Sequence, residues 1–188
     1  MQADLLLGSE VSDVDGNSES RRGTISVFNG PMPDIQLLES QQAEITTVAQ
    51  WLQRRVQEGV KPHEIAVFVR SPAELERAQQ AVTTAKIPFQ VLDEHVETIS
   101  WRISICTMHL AKGLEFRSVV VMACDDEIIP SQARIEQVGD DADLQEVYDT
   151  ERHLLYVACT RARDHLLVTS TEPASEFLDD LRVKVRIC

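Results

Sequence analysis

Two short stretches of this chain hold residues whose types and spacing suit phosphate chemistry. In Thr107-Met-His-Leu-Ala-Lys-Gly-Leu-Glu-Phe116, Lys112 and Gly113 stand side by side. A glycine lets backbone approach an anion closely, and a lysine brings a point charge to it. Glu115, two residues on, accepts hydrogen bonds and so suits a sugar hydroxyl rather than a phosphate. Further along, Glu151-Arg-His-Leu-Leu-Tyr-Val-Ala-Cys-Thr-Arg-Ala-Arg163 reads as an apolar helix ending in Thr160-Arg161. A guanidinium there can be projected at negative charge developing in phosphoryl transfer. Each stretch has a plainer reading: a turn with solvated charges for the first, and for the second an arginine favoured at a helix C-terminus by the dipole. Neither fits G-x-x-x-x-G-K-[ST], the loop that cradles nucleoside triphosphates, and none of the seven glycines precedes a lysine.

Other combinations carry less. Val91-Leu-Asp-Glu-His95 and Val121 to Glu127 each put acids after an apolar run, as in strands that hold magnesium and water, but that arrangement works beside a phosphate loop. Cys159 with His153 or His165 lacks an orienting carboxylate at useful spacing, so a buried thiol is the reading. Cys106, His109 and Cys124 have no paired C-x-x-C spacing to make a zinc site. The scattered cysteines read as free thiols rather than disulfides.

These residues must be positioned by a fold, and 188 residues suit one domain. The polar run 8–23 reads as a linker or arm, giving an arm over 1–23 and a domain over 24–188. Thr24–Phe28 alternates like a strand and closes in a turn over Asn29–Pro33. From about Ser40 to Glu58, Ile45, Val48, Ala49, Leu52 and Val56 recur at helical spacing, and Gly59 ends the run. Ile65–Val69 is continuously apolar, as in a strand covered on both faces. Ser71-Pro72-Ala73-Glu74 makes a capping box for a helix burying Leu75, Ala78, Val82 and Ala85. Pro88–Leu92, Ile103–Cys106, Ser118–Ala123 and His165–Thr169 read as strands, with a long helix over about Leu144–Arg161 and another opening near Pro173. This alternation predicts an α/β three-layer sandwich, a mostly parallel sheet with helices on both faces. Ligands in such sheets gather at the carboxyl ends of strands, which is where Thr107 leaves Ile103–Cys106.

A net charge of −13 argues against a general polyanion binder. Ten acids crowd residues 125–151 with Arg134 as the only base among them, which reads as a solvated loop. No apolar run is long enough to span a bilayer, and Met1–Leu7 lacks the features of a signal peptide. A cytoplasmic location with no membrane partner is the expectation.

Taken together and in this order, the two stretches resemble known motifs. Thr107–Phe116 looks like motif V of the UvrD/Rep helicases of superfamily 1, and Leu155–Arg163, led by Glu151-Arg152, looks like their motif VI. Ile65-Ala-Val-Phe-Val-Arg-Ser71 resembles the strand-to-helix step in the same domain. The resemblance implies a RecA-like (P-loop NTPase-like) fold without its own P-loop, the second motor domain, called 2A. It implies that Glu115 bonds the ribose of ATP, that Arg161 is the finger reaching the γ-phosphate, and that Lys112 and Gly113 shape the loop between nucleotide and nucleic acid. It further implies that Thr107 and His109 face single-stranded DNA, with Arg70 and Ser71 at its backbone. The phosphate loop and the acids for Mg2+ would belong to a first RecA-like domain, so the isolated chain would neither hydrolyse ATP appreciably nor unwind duplex. There are departures. The family's Asn-Tyr-Arg-Ser segment is not in the chain, His153 stands where relatives often have Arg, and only about ten residues separate Leu92 from Ile103, leaving no room for a 2B insertion. A second reading is a non-catalytic helicase-like module whose acidic 125–151 segment binds a protein partner.

Overall fold

The structure, a computed structural model, describes residues 10–12, 18–20, 32–94 and 97–182. Two three-residue strands, β1 (Glu10–Ser12) and β2 (Ser18–Ser20), pair antiparallel by themselves. The rest of the expected arm, and the expected strand Thr24–Phe28 with its turn up to Pro31, lie outside the described residues. The chain then runs β3 (Asp34–Leu38), α1 (Gln41–Gln57), β4 (Ile65–Val69), α2 (Leu75–Thr84), β5 (Phe89–Val91) and β6 (Ile103–Thr107). β7 (Phe116–Val121), α3 (Gln132–Ile135), α4 (Asp141–Thr160), β8 (Ala162–Thr171) and α5 (Phe177–Arg182) complete it. Strands β3 to β8 form one six-stranded sheet in the order β3-β8-β7-β4-β6-β5, and every pairing in it is parallel.

Side-chain alternation along the central strands builds a core on each face. In β4, Ile65, Val67 and Val69 join one core while Ala66 and Phe68 join the other. The first face packs under α1 and α2 through Ile45, Val48, Leu52, Ala78 and Val82. The second packs under α4 and α5 through Leu155, Ala158, Phe177 and Leu178. The expected three-layer α/β sandwich is therefore present.

Local signals act as read. Ser40 caps α1, its Oγ accepting from the Ala43 N–H at 3.2 Å, and Gly59 past the end has φ +90°. Ser71 and Glu74 form a reciprocal capping box, though it opens a 3-10 turn over Pro72–Glu74 that feeds α2. The edge strand β3 is not apparent in the sequence pattern; it exists because β8 is ten residues long and offers Leu167–Thr171 for pairing. Helix α4 starts at Asp141 rather than Leu144, with the Asp140 carboxylate accepting from the N–H groups of Ala142 and Asp143 at 2.9 Å each. Among the described residues between β5 and β6 there is no helix and no inserted domain.

Candidate nucleotide and nucleic-acid sites

The passage 107–116 does not stay at the carboxyl edge. It leaves the carboxyl end of β6, turns once through a 3-10 turn at Met108–Leu110, and enters β7 at its amino end. Because β4 lies between β6 and β7 in the sheet, the passage runs across the face that α4 covers, with Met108 and Ala111 buried in that core. Thr107 and Glu115 thus sit at opposite edges of the sheet. The rule that ligands gather at strand carboxyl ends therefore applies to Thr107 and not to Glu115.

At the amino edge Glu115 and Arg161 meet. Phe116 of β7 stands opposite Ala162 of β8, so the residues just before them are neighbours. The Phe116 N–H donates to the Arg161 carbonyl at 3.0 Å. The Arg161 guanidinium donates to the carbonyl of Leu114 at 3.2 Å, to the Val157 carbonyl at 3.1 Å and to Thr160 Oγ1 at 3.1 Å. Arg161 does cap α4, as the plainer reading has it, and the same geometry lays its side chain beside Glu115. None of its three side-chain partners is a carboxylate. Lys112, Gly113 and Glu115 are exposed. Gly113 has φ +81° in a turn closed by the Leu114 N–H donating to the Ala111 carbonyl at 3.2 Å; a left-handed third position is what such a turn requires of a glycine.

At the carboxyl edge Thr107 is half-buried and His109 exposed. Arg70, expected at a nucleic-acid backbone, is only 6% exposed. Its Nε and Nη2 donate to the two oxygens of Glu151 at 2.5 Å each. A guanidinium so buried, with its Nε and one Nη committed bidentately to a carboxylate, is poorly placed to meet a phosphate. Ser71 is taken up by the capping box.

Sequence reasoning missed the partners of these residues. Glu151 is fully buried and also accepts from Arg134 Nη1 at 3.0 Å. Burial alone would raise its pKa, but the bond and charge of Arg70, and then of Arg134, outweigh this and hold it below the ordinary carboxylate range. Asp125 is buried as well: it accepts from Arg77 Nη1 at 2.6 Å and from the Thr171 N–H at 2.7 Å. The solvated-loop reading of 125–151 fails at these two positions, because each acid has a basic partner far away in sequence. The available signal was Arg134, a lone base among acids.

The weaker candidates fall away. Burial pushes the Cys159 thiol up to about 12, leaving no thiolate at neutral pH for nucleophilic chemistry. Cys106, Cys124 and Cys159 are free and buried. Among the described residues no cluster of three His, Cys, Asp or Glu could hold a metal ion, and none of their helices is long and apolar enough to cross a membrane.

Residues 93–173, which span both candidate stretches, match the family described as UvrD-like helicase C-terminal domain. Over this span the chain is similar to that family. It is similar to the putative ATP-dependent DNA helicase YjcD of Bacillus subtilis, 40% identical over 93 residues that make 45% of this chain and 12% of that protein. It is also similar to the ATP-dependent DNA helicase PcrA of Staphylococcus aureus, 40% identical over 67 residues, 36% of this chain and 8% of that one. The chain thus spans about an eighth or less of the length of these relatives. In fold it resembles the C-terminal domain of a possible DNA helicase from Lactobacillus plantarum, with a TM-score of 0.60 at 21% identity, covering 83% of this chain and 86% of that one.

Proposed function

We propose that residues 24–188 form the second motor domain of an ATP-driven nucleic-acid translocase, one wall of an ATP site completed by a first RecA-like domain. The observation that carries this is the placing of Glu115 and Arg161 side by side at the amino ends of β7 and β8, with Arg161 bonded to Leu114 and Phe116, the residues on either side of Glu115. Among the described residues the partners of the Arg161 guanidinium are all uncharged oxygens, so its charge suits a polyphosphate. Glu115, exposed beside it, would accept from sugar hydroxyls. Lys112 and the Gly113 turn lie immediately upstream and would border the same pocket.

Here Arg161 would hold and stabilise the γ-phosphoryl oxygens as charge develops, while Glu115 fixes the sugar and so the distance of the phosphates from Arg161. ATP when bound supplies the transferable phosphoryl group. The acids for Mg2+ would come from the partner domain. Thr107 and His109 would face single-stranded DNA at the opposite edge, joined to the nucleotide edge through residues 108–115. Alternate closing and opening of the two walls would then move the protein along the strand. The isolated chain should turn over ATP negligibly. This reading takes residues 1–23 as an arm and the protein as cytoplasmic.

The test is steady-state ATPase of the chain together with its phosphate-loop domain. Arg161→Ala should lower kcat by about 10³-fold or more, the scale of an arginine finger, without changing the circular dichroism spectrum. Turnover at the parent rate would remove Arg161 from the site.

A further inference from the structure

Arg70 and Arg134 converge on a single carboxylate. Glu151 Oε1 accepts from both, Arg70 Nη2 at 2.5 Å and Arg134 Nη1 at 3.0 Å, while its Oε2 accepts from Arg70 Nε. Two guanidiniums against one carboxylate leave one positive charge in excess, on a chain whose net charge is −13. The two arginines differ in access. The Arg70 side chain is 7% exposed and the Arg134 side chain 40% exposed. Arg134 spends one nitrogen on Glu151, whereas a guanidinium has five N–H donors.

The cluster lies beside the candidate nucleic-acid face: Val69, the residue before Arg70, stands opposite Thr107 where β4 pairs with β6. His109 is exposed on the 3-10 turn after Thr107. Its proton affinity is lowered first by desolvation and then by the charges of Arg70 and Arg134, with Glu151 opposing. The same three groups that form the cluster therefore act on His109.

We propose that Arg134 is a phosphate ligand for the backbone of single-stranded nucleic acid, held toward the strand by Glu151. Arg70 stands behind it and shares the Glu151 carboxylate, so that the Arg134 charge is only partly neutralised. The inference rests on the reading of the Thr107–His109 edge as the nucleic-acid face, and gives Arg134 the backbone contact that the family resemblance gave Arg70. Without Arg70, Glu151 would cancel the Arg134 charge; with it, the pair can serve an anion.

Fluorescence anisotropy of labelled oligothymidine with the 188-residue chain, titrated over a range of salt concentrations, tests this. Losing one phosphate contact on a single strand lowers the slope of log K against log salt by about 0.7. Arg134→Ala should weaken binding and show that loss; Arg134→Lys, which keeps the charge, should retain the slope. Urea midpoints of both variants, with Arg134→Gln as a second neutral form, separate this from a folding defect. Unchanged affinity and slope in Arg134→Ala and Arg134→Gln, while His109→Ala weakens binding, would overturn the Arg134 assignment and leave the face intact. Absence of salt-dependent binding by the parent chain would remove the face and the inference together. Equal displacement of oligothymidine by polyglutamate would show a general anion site and also overturn it.

Discussion

Among the described residues Arg161 hydrogen-bonds only to carbonyl and hydroxyl oxygens, whereas Arg70, Arg77, Arg117 and Arg152 each face a carboxylate. An arginine already matched by a carboxylate must give up that partner before it can serve an anion. Arg161 need give up only neutral acceptors, which is why its charge, rather than its position in a motif, marks it physically. Gly113 is a different kind of residue. A Cβ built there would meet nothing within 4 Å, but φ is +81°, so the constraint is backbone conformation alone. Gly113→Ala should cost about 1–2 kcal/mol, the penalty of placing an L-residue in the left-handed region, read as a lowered urea midpoint. A result within experimental error of the parent would mean that the turn adopts another conformation at no cost.

At the scale of elements, Arg77 on α2 ties together pieces far apart in sequence. Its guanidinium pairs with Glu44 of α1 and with Asp125 beyond β7. Glu44 in turn accepts from the Ala123 N–H at 3.0 Å and from Thr169 Oγ1 of β8 at 2.6 Å. Arg77→Ala would leave two buried carboxylates unpaired, a loss of about 3–5 kcal/mol, measurable by urea denaturation. Arg134, partly exposed on the other core's side, should show a much smaller effect. The elements themselves were legible wherever a local rule acts: the helical run that Gly59 ends, the Ser71–Glu74 box, and the apolar runs at Ile65–Val69 and Ser118–Ala123. Strand β3 was not, because an edge strand needs only one neighbour and its pattern is not repeated on a second face. The acids at 125 and 151 were misread for a related reason, since their partners lie 48 and 81 residues away and spacing cannot show a contact between elements.

For the molecule as a whole, the buried ion pairs set how stability responds to acid. Glu151 has its folded pKa below the ordinary 4.5 because Arg70 and Arg134 outweigh its burial. Its contribution is therefore present above about pH 4.5 and is lost as pH falls through the lower folded value. Glu44 runs the other way: burial, its largest influence, exceeds the Thr169 bond and the Arg77 charge and raises its pKa, so its contribution is lost as pH rises through that value. Thermal unfolding followed from pH 6 to pH 3 should show a steep acid loss in the parent, and Glu151→Gln, less stable at pH 6, should show a shallower one. Equal slopes would mean that Glu151 is not held ionised in the fold. Glu115 and Arg161 were legible in type and order, but the edge at which their backbones lie side by side was not, because the passage joining Thr107 to Phe116 crosses the sheet. That crossing has a mechanical consequence. Eight residues, 108–115, span a strand's length of about 20 Å. Fully extended they would reach about 28 Å, and three of them are wound in a turn that advances about 2 Å each. With Met108 and Ala111 anchored in the core, a displacement of the Thr107 end has to move that core or open one of the two turns, at Met108–Leu110 and at Ala111–Leu114, before it reaches Glu115.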